Sequence, residues 1–345
     1  MFIPGSNDPE TLNGTDGADS IVALAGDDVI FDGNGNDSVF GGRDDDYLSA
    51  TGLGDSDLFD GGTGYDMVSY ANVFDAVTIN LALQTSSGAL IGIDTLSSIE
   101  YAQGSQGNDI IYGNRFFNVL DGREGDDALY GGGSNDDFAG LSGNDSLYGG
   151  SGRDRARYDY EDGGNGGTHG IFADFSSNII MDSSGGTDTL TSIEDIVGSI
   201  FDDVIYGRGG QKDTGQNDIS GDNGDDLIDG RGGIDFLSGN NGADTFRFST
   251  GFRDGPNYDY VRDFEDGVDT MLLAQAVFSS VGGSLAAREF RVGASAQDGN
   301  DHIIYERSTG NLFYDADGLG GVDQILFAVL NAGDLLRASS FQTYL

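Results

Sequence analysis

Within residues 221–247 an aspartate recurs at every ninth position, and each is followed two places on by a large apolar residue: Asp226 by Ile228, Asp235 by Leu237, Asp244 by Phe246. The three units GDNGDDLID, GRGGIDFLS and GNNGADTFR share the form G-x-x-G-x-D-x-U-x, where U is large and apolar. Side-chain carboxylates and backbone carbonyls offer oxygen only. That donor set suits a hard ion of flexible coordination, which is calcium. The scaffold follows from the same spacing. Gly, Asn and Asp make the turn, because they tolerate backbone angles that most side chains forbid. The remaining x-U-x is long enough for a short strand with its middle side chain turned inward. Two units make one coil, so turns stack at a spacing of 18 residues and the acids fall into two columns. Stacked carboxylates repel unless a cation lies between them.

The same register recurs in two further blocks. The first, about 14–69, carries Asp19, Asp28, Asp37, Asp46, Asp57 and Asp66, with Ile21, Ile30, Val39, Leu48, Phe59 and Val68 inward. Its step is nine except between Asp46 and Asp57, where two extra residues fit a bulged turn at Leu53–Ser56. Asp44 and Asp55 replace the inner glycine there, so those turns are expected to be distorted. The second, about 104–157, carries Asp109, Asn118, Asp127, Asp136, Asp145 and Asp154, with Ile111, Leu120, Leu129, Phe138, Leu147 and Ala156 inward. Asn118, with Phe116 at its inner glycine position, is expected to hold little or no metal. The third, about 198–247, adds Asp203 and Asn217 to the three aspartates above, with Ile205 and Ile219 inward and five extra residues around Gly209–Asp213. All seventeen register positions have an apolar residue at plus two. Ions are expected between turns two units apart: Asp19 with Asp37, Asp28 with Asp46, Asp109 with Asp127, Asp127 with Asp145, Asp136 with Asp154, Asn217 with Asp235, and Asp226 with Asp244. About ten such sites follow, each completed to roughly six oxygens by backbone carbonyls of the Gly-rich turns. Their inner glycines, Gly17, Gly26, Gly35, Gly125, Gly143, Gly152, Gly224, Gly233 and Gly242, join the expected metal-binding set.

These nonapeptides resemble the RTX, hemolysin-type repeats of secreted bacterial proteins, a known calcium-binding motif. The resemblance implies an all-β, right-handed parallel β-roll or β-solenoid. After Phe246 the phase stops, and the order D-x-F-x-F-S, V-x-D-F-x-x-G-x-D, L-F-Y-D-A-D-G is similar to the C-terminal region of serralysin-type metalloproteases. The protease half is absent by motif, since no HExxH occurs. The resemblance further implies an uncleaved C-terminal signal read by a type I secretion apparatus. The N-terminal MFIPGSNDPETLNG has neither basic region nor apolar core, so no cleaved signal peptide is expected.

Two interruptions separate the blocks. GIDTLSSIEYAQGSQGNDIIYGN (92–114) aligns with GTDTLTSIEDIVGSIFDDVIYGR (186–208), and VTINLA (77–82) parallels HGIFADF (169–175). Both read as larger coils built on strand alternation. Ile79, Leu81, Leu96 and Ile99, then Phe172, Phe175, Leu190 and Ile193, are expected to extend the core. The expected domains are a first roll block at 1–69, insert plus second block at 70–157, insert plus third block at 158–247, and a C-terminal β-rich cap and secretion-signal region at 248–345. Within the cap, IIYERSTGNLFYDAD reads as a hairpin turning at Ser308–Asn311, with short helical turns at AQAVFSSV and LAAREF.

Composition narrows the function. The formal charge is −43, with Lys212 the single lysine, so the chain repels itself and is expected to fold only with divalent cation. Nucleic acid is not an expected partner, because nothing basic could neutralise phosphates. No stretch approaches the roughly 20 apolar residues of a membrane span. Calcium sites of roughly micromolar-to-millimolar affinity need a calcium-rich setting, so a secreted or cell-surface location is expected. Asp315-Ala-Asp317-Gly318 resembles the start of an EF-hand loop but lacks its later ligands, and a hairpin-end turn is the plainer reading. Arg153, Arg155 and Arg157 read as charge balance, with a docking patch for an acidic partner as the sharper idea. No GxSxG elbow or cysteine exists, and His169 and His302 are the only histidines. The preferred reading is a non-enzymatic calcium-loaded protein with a structural, adhesive or surface-layer role, its partners being copies of itself or a cell-surface polysaccharide. The alternative is a polysaccharide lyase, epimerase or hydrolase using an insert groove, with Arg157, Tyr158, Tyr160 and His169 as the cluster to test.

Overall fold

The computed structural model describes residues 1–52, 54–160, 167–209, 216–252 and 256–345. The expected bulge at Leu53–Ser56 and the extra residues at Gly209–Asp213 fall partly or mostly outside the described residues. The chain forms two compact units, Met1–Tyr160 with Ser184–Ile193, and Glu161–Ser183 with Glu194–Leu345. Both are built of β-strands, and the described residues contain no α-helix.

In the first unit the chain alternates between two sheets. One contains Thr11–Asn13, Val29–Phe31, Tyr47–Ser49, Met67–Ser69, Tyr101–Gln103, Val119–Asp121, Asp137–Ala139 and Arg155–Arg157, all parallel. The other contains the intervening strands, for example Ser20–Ala25, Ser38–Arg43 and Leu58–Thr63, again parallel. Pairing places each inward residue over its counterpart one coil on, as in Ile21↔Val39 and Ile30↔Leu48. All seventeen inward residues of the register are buried.

The first interruption is not a simple wide coil. Val77–Asn80, Thr85–Gly88 and Gly92–Ser97 form an antiparallel meander, while its outer strands still pair in parallel with Leu58–Thr63 and Ile110–Tyr112. In the second unit Phe172–Asp174 and Ile179–Met181 make the corresponding antiparallel pair. Ile79, Leu81, Leu96, Ile99, Phe175, Leu190 and Ile193 are buried as expected, but Phe172 is exposed. Strand alternation explains the correction: Phe175 points inward, so Ala173 and Ile171 do too, and Phe172 must face out. It rests edge-on against Tyr206 instead.

The second unit ends in antiparallel strands. Ile303–Glu306 pairs with Asn311–Tyr314, so the hairpin turn covers 307–310, one residue earlier than expected. The last strand, Phe341–Tyr344, adds in parallel to Thr270–Ala274. AQAVFSSV forms turns rather than a helix, with one helix-like bond from Phe278 N–H to Ala274 O at 2.9 Å; LAAREF likewise forms a turn.

The interior is thin. Each register repeat turns one apolar side chain inward between glycine-rich turns, little apolar burial for so acidic a chain. A repeat of this kind needs a further source of stability, and the turns are where it can lie.

Candidate metal centre

Each turn sends its aspartate back under the strand that follows, because the D-x-U spacing turns the acid and the apolar residue to the same inner side. One carboxylate oxygen of each acid caps the preceding coil. Asp37 Oδ1 accepts from Asp19 N–H at 2.7 Å and Asp46 Oδ1 from Asp28 N–H at 3.0 Å. The pattern continues from Asp109 to Asp127 at 2.7 Å, Asp127 to Asp145 at 2.8 Å, and Asp136 to Asp154 at 2.8 Å. In the second unit Asn217 N–H donates to Asp235 at 2.9 Å and Asp226 N–H to Asp244 at 3.0 Å. The residues of every pair expected from the sequence thus lie one above the other. Across the irregular step the coils still meet, Asp57 capping Asp37 and Asp66 capping Asp46.

The second oxygen is the informative one. Oδ2 of Asp28, Asp37, Asp46, Asp66, Asp127, Asp136 and Asp226 is buried and meets no hydrogen-bond donor. Leaving an ionised carboxylate oxygen so placed costs several kcal/mol unless a cation or proton compensates. Burial therefore pushes these groups upward, Asp127 and Asp226 to about 9, and Asp46 and Asp136 to about 7, with the neighbouring acids of the column adding to the effect. Asp57, capped in the same way, rises to about 7.

The space beside these oxygens has the form of a cation cradle. A Cβ placed on Gly41 would press on Asp46 Oδ2 and lie 2.7 Å from the Gly61 carbonyl oxygen. The same pairing recurs at Gly131 with Asp136 Oδ2 and Gly149 O at 2.8 Å, and at Gly221 with Asp226 Oδ2 and Gly239 O at 3.0 Å. A carboxylate oxygen and a carbonyl oxygen of the next coil thus face the same space, which only a glycine leaves free of a side chain. All-oxygen donors and unpaired buried charge together fit calcium.

The expected glycines act differently. All of Gly26, Gly35, Gly125, Gly143, Gly152, Gly224, Gly233 and Gly242 have positive φ, from 103° to 157°, while Gly17 does not. They let the turn bend and let its backbone lie close on the preceding coil: a Cβ on Gly125 would lie 2.6 Å from Gly107 O. The carbonyls nearest the orphaned oxygens belong instead to the first glycine of the repeat, which sequence reasoning passed over. Its presence five residues before fourteen of the seventeen register positions was the available signal.

Reasoning from the sequence also missed acids that prolong the columns beyond the nonapeptides. Asp94 caps Asp57 at 3.0 Å, Asp188 caps Asp145 at 2.9 Å, Asp259 caps Asp235 at 3.1 Å, and Asp269 caps Asp244 at 3.0 Å. Each keeps an apolar residue at plus two: Leu96, Leu190, Val261 and Met271. All four lack the first glycine five residues before the acid, although Gly92, Gly186 and Gly267 keep the inner one. Asp44, standing for an inner glycine, adopts φ 73° and accepts from Gly26 N–H at 3.1 Å.

The other candidate groups have structural partners. Tyr158 is buried and donates to Asp188 Oδ2 at 2.8 Å. Arg155 forms a two-pronged pair with Asp137, and Arg157 pairs with Asp159 and Asp137. Tyr160 lies beneath the Arg157 guanidinium. His169 is exposed, its Nδ1 beside Gly170 O. At Asp315–Gly318 the backbone satisfies the acids, Asp317 N–H donating to Asp315 Oδ1 at 3.2 Å and Gly321 N–H to Asp317 Oδ2 at 3.0 Å. Among the described residues no helix is long and apolar enough to cross a membrane.

A family described as RTX calcium-binding nonapeptide repeat (4 copies) matches residues 13–48, 103–138, 130–156, 190–211 and 213–251. No curated protein matches the chain. Among the solved structures similar over part of it are the following two. The AlgE6R3 subunit of the mannuronan C5-epimerase of Azotobacter vinelandii is 26% identical over 43% of this chain and 76% of that one, with a TM-score of 0.28. The extracellular lipase LipA of Serratia marcescens is 18% identical over 70% of this chain and 39% of that one, with a TM-score of 0.20.

Proposed function

Since this chain is a hemolysin-type RTX repeat protein whose repeats bind calcium, we propose that it is secreted and completes its folding outside the cell as calcium fills the aspartate columns. The observation that carries this reading is the set of buried Oδ2 atoms, Asp28, Asp46, Asp127 and Asp226 among them, that meet no donor. In a chain of formal charge −43 such atoms make folding conditional on a cation. Low calcium inside the producing cell keeps the chain extended for a type I export apparatus, and higher calcium outside switches it to the roll. The region 248–345 serves as terminal cap and export signal, and the roll blocks with their inserts form the body.

Once folded, the protein acts as a structural or adhesive element of the cell surface or matrix, bound to copies of itself or to polysaccharide. The residues that would hold the ions are the register acids with the first-glycine carbonyls of the next coil. When bound, calcium supplies charge neutralisation and cross-links successive coils. Light scattering of the calcium-loaded chain, alone and with anionic polysaccharide, tests the surface role. Growth of assemblies with calcium, reversed by EDTA, is expected. A monodisperse monomer that ignores polysaccharide would overturn the role while leaving the calcium-dependent fold intact.

A further inference from the structure

The repeat DGNGNDSVF (32–40) departs from the others at one position: an acid, Asp32, stands five residues before the register aspartate, where most repeats have glycine and no other has an acid. In those repeats a side chain would intrude on the cradle beside Oδ2. Here a carboxylate is built into that space. Carboxylate oxygens of Asp32, Asp37 and Asp57 lie within 4.8 Å of one another, and all three residues are buried.

Asp32 is anchored by one oxygen only. Its Oδ1 accepts from Gly33 N–H at 2.7 Å, Thr51 N–H at 2.7 Å and the Thr51 hydroxyl at 2.6 Å. Its Oδ2 meets no donor, although the residue is 0% exposed, and Asp37 Oδ2 beside it meets none either. Asp37 and Asp57 are already coupled through the Asp37 N–H bond to Asp57 Oδ1 at 2.7 Å. Three buried acids gathered in one place, two of them with an unsatisfied buried oxygen, need a cation more than the regular sites do. Calcium affinity rises with the number of charged ligands and the rigidity of the site, and Thr51 supplies rigidity by clamping Asp32.

We propose that Asp32, Asp37 and Asp57 form a three-carboxylate calcium site that binds more tightly than the two-carboxylate sites of the columns and fills first. The proposal rests on the calcium-dependent folding described above and adds an order of filling to it. That order would start the roll near its first coils.

The test is calorimetric calcium titration of the full chain and of two variants. Asp32→Gly restores the common residue of the repeat. Asp32→Asn keeps the size and the acceptor for Thr51 and removes the charge. The wild-type chain is expected to show one site at least about tenfold tighter than the rest. Both variants should lose that site while keeping the wild-type circular dichroism spectrum in saturating calcium. Retention of the tightest site in both variants overturns the proposal. So does loss in Asp32→Gly with retention in Asp32→Asn, which would make Asp32 only a clamp for Thr51. A wild-type chain that binds no calcium would instead refute the functional reading on which the proposal stands.

Discussion

The Asn118 side-chain amide donates to the Glu100 carbonyl at 3.2 Å. An aspartate in this register accepts from the preceding coil, as Asp28 does from Glu10 N–H at 2.9 Å. Asparagine reverses the polarity and closes the coil with its own donor, while its Oδ1 accepts from Asn114 N–H at 2.7 Å. Asn217 repeats the arrangement on the Glu194 carbonyl. Both follow an insert, and both leave a turn whose side chain is satisfied without a cation. Asn118→Asp would set oxygen against oxygen, so the turn would close only around an ion. One more calcium per chain at saturation is expected in a calorimetric titration. An unchanged stoichiometry would show that the asparagine is not what keeps the ion out.

The first glycines should be intolerant for a reason unrelated to backbone conformation. Gly41 does not have a positive φ, yet a Cβ there would press on Asp46 Oδ2 and approach Gly61 O at 2.7 Å. Gly41→Ala is therefore expected to abolish one calcium site and lower the urea midpoint in saturating calcium. Gly251→Ala, with nothing within 4 Å of the added atom, should leave both unchanged. Equal behaviour of the two variants would remove the cradle from the account.

Tyr70 and Tyr158 close the two inserts in the same way. Tyr70 donates to Asp94 Oδ2 at 2.9 Å, and Tyr158 to Asp188 Oδ2 at 2.8 Å. Each acid in turn caps a register aspartate. Removing a buried donor to a charged group costs about 1.5–3 kcal/mol. Tyr70→Phe should lose stability in that range in calcium-saturated urea unfolding. A change below about 0.5 kcal/mol, the usual range of a surface substitution, would mean the bond carries no weight.

The dependence on pH should reverse with calcium. Burial raises Asp127 and Asp226 to about 9, and Asp46 and Asp136 to about 7, above the unfolded carboxylate value of about 3.9. Without metal, these groups support the fold most fully below the unfolded value, and that support is lost as pH rises through about 7 and then about 9. The metal-free chain should thus gain β signal on acidification from pH 8 toward pH 5. Calcium competes for the same oxygens as ionised ligands, so its affinity should fall over that interval, with proton release on binding near pH 7. Circular dichroism in EDTA at the upper pH values, repeated on calcium-stripped protein in the acid range, and calcium titration at each pH check both signs.

Most of the repeat body was legible because two independent signals coincide in it. The nine-residue phase places Ile21, Leu48 or Phe246 inward, and the acid two residues earlier dates each turn. Where one signal is missing, reading became less secure. Asp94 and Asp188 kept the acid, the inner glycine and the inward leucine but lost the first glycine and the nine-residue phase, so their part in the columns emerged only from the hydrogen bonds. Phe172 was misplaced because size suggested burial, whereas parity with Phe175 decides the face. The meander at 77–97 was hidden because alternation fits parallel and antiparallel strands equally. Asp32 was overlooked because the register counts one acid per repeat, and its side chain enters the cradle from outside that count.

The central claim is that calcium supplies the stability which the thin interior lacks. Far-ultraviolet circular dichroism of the chain in EDTA at neutral pH, followed by stepwise return of calcium, tests it most directly. A largely disordered spectrum that converts cooperatively to β structure as calcium is restored is the expected result; an unaltered β spectrum in the chelator would contradict it.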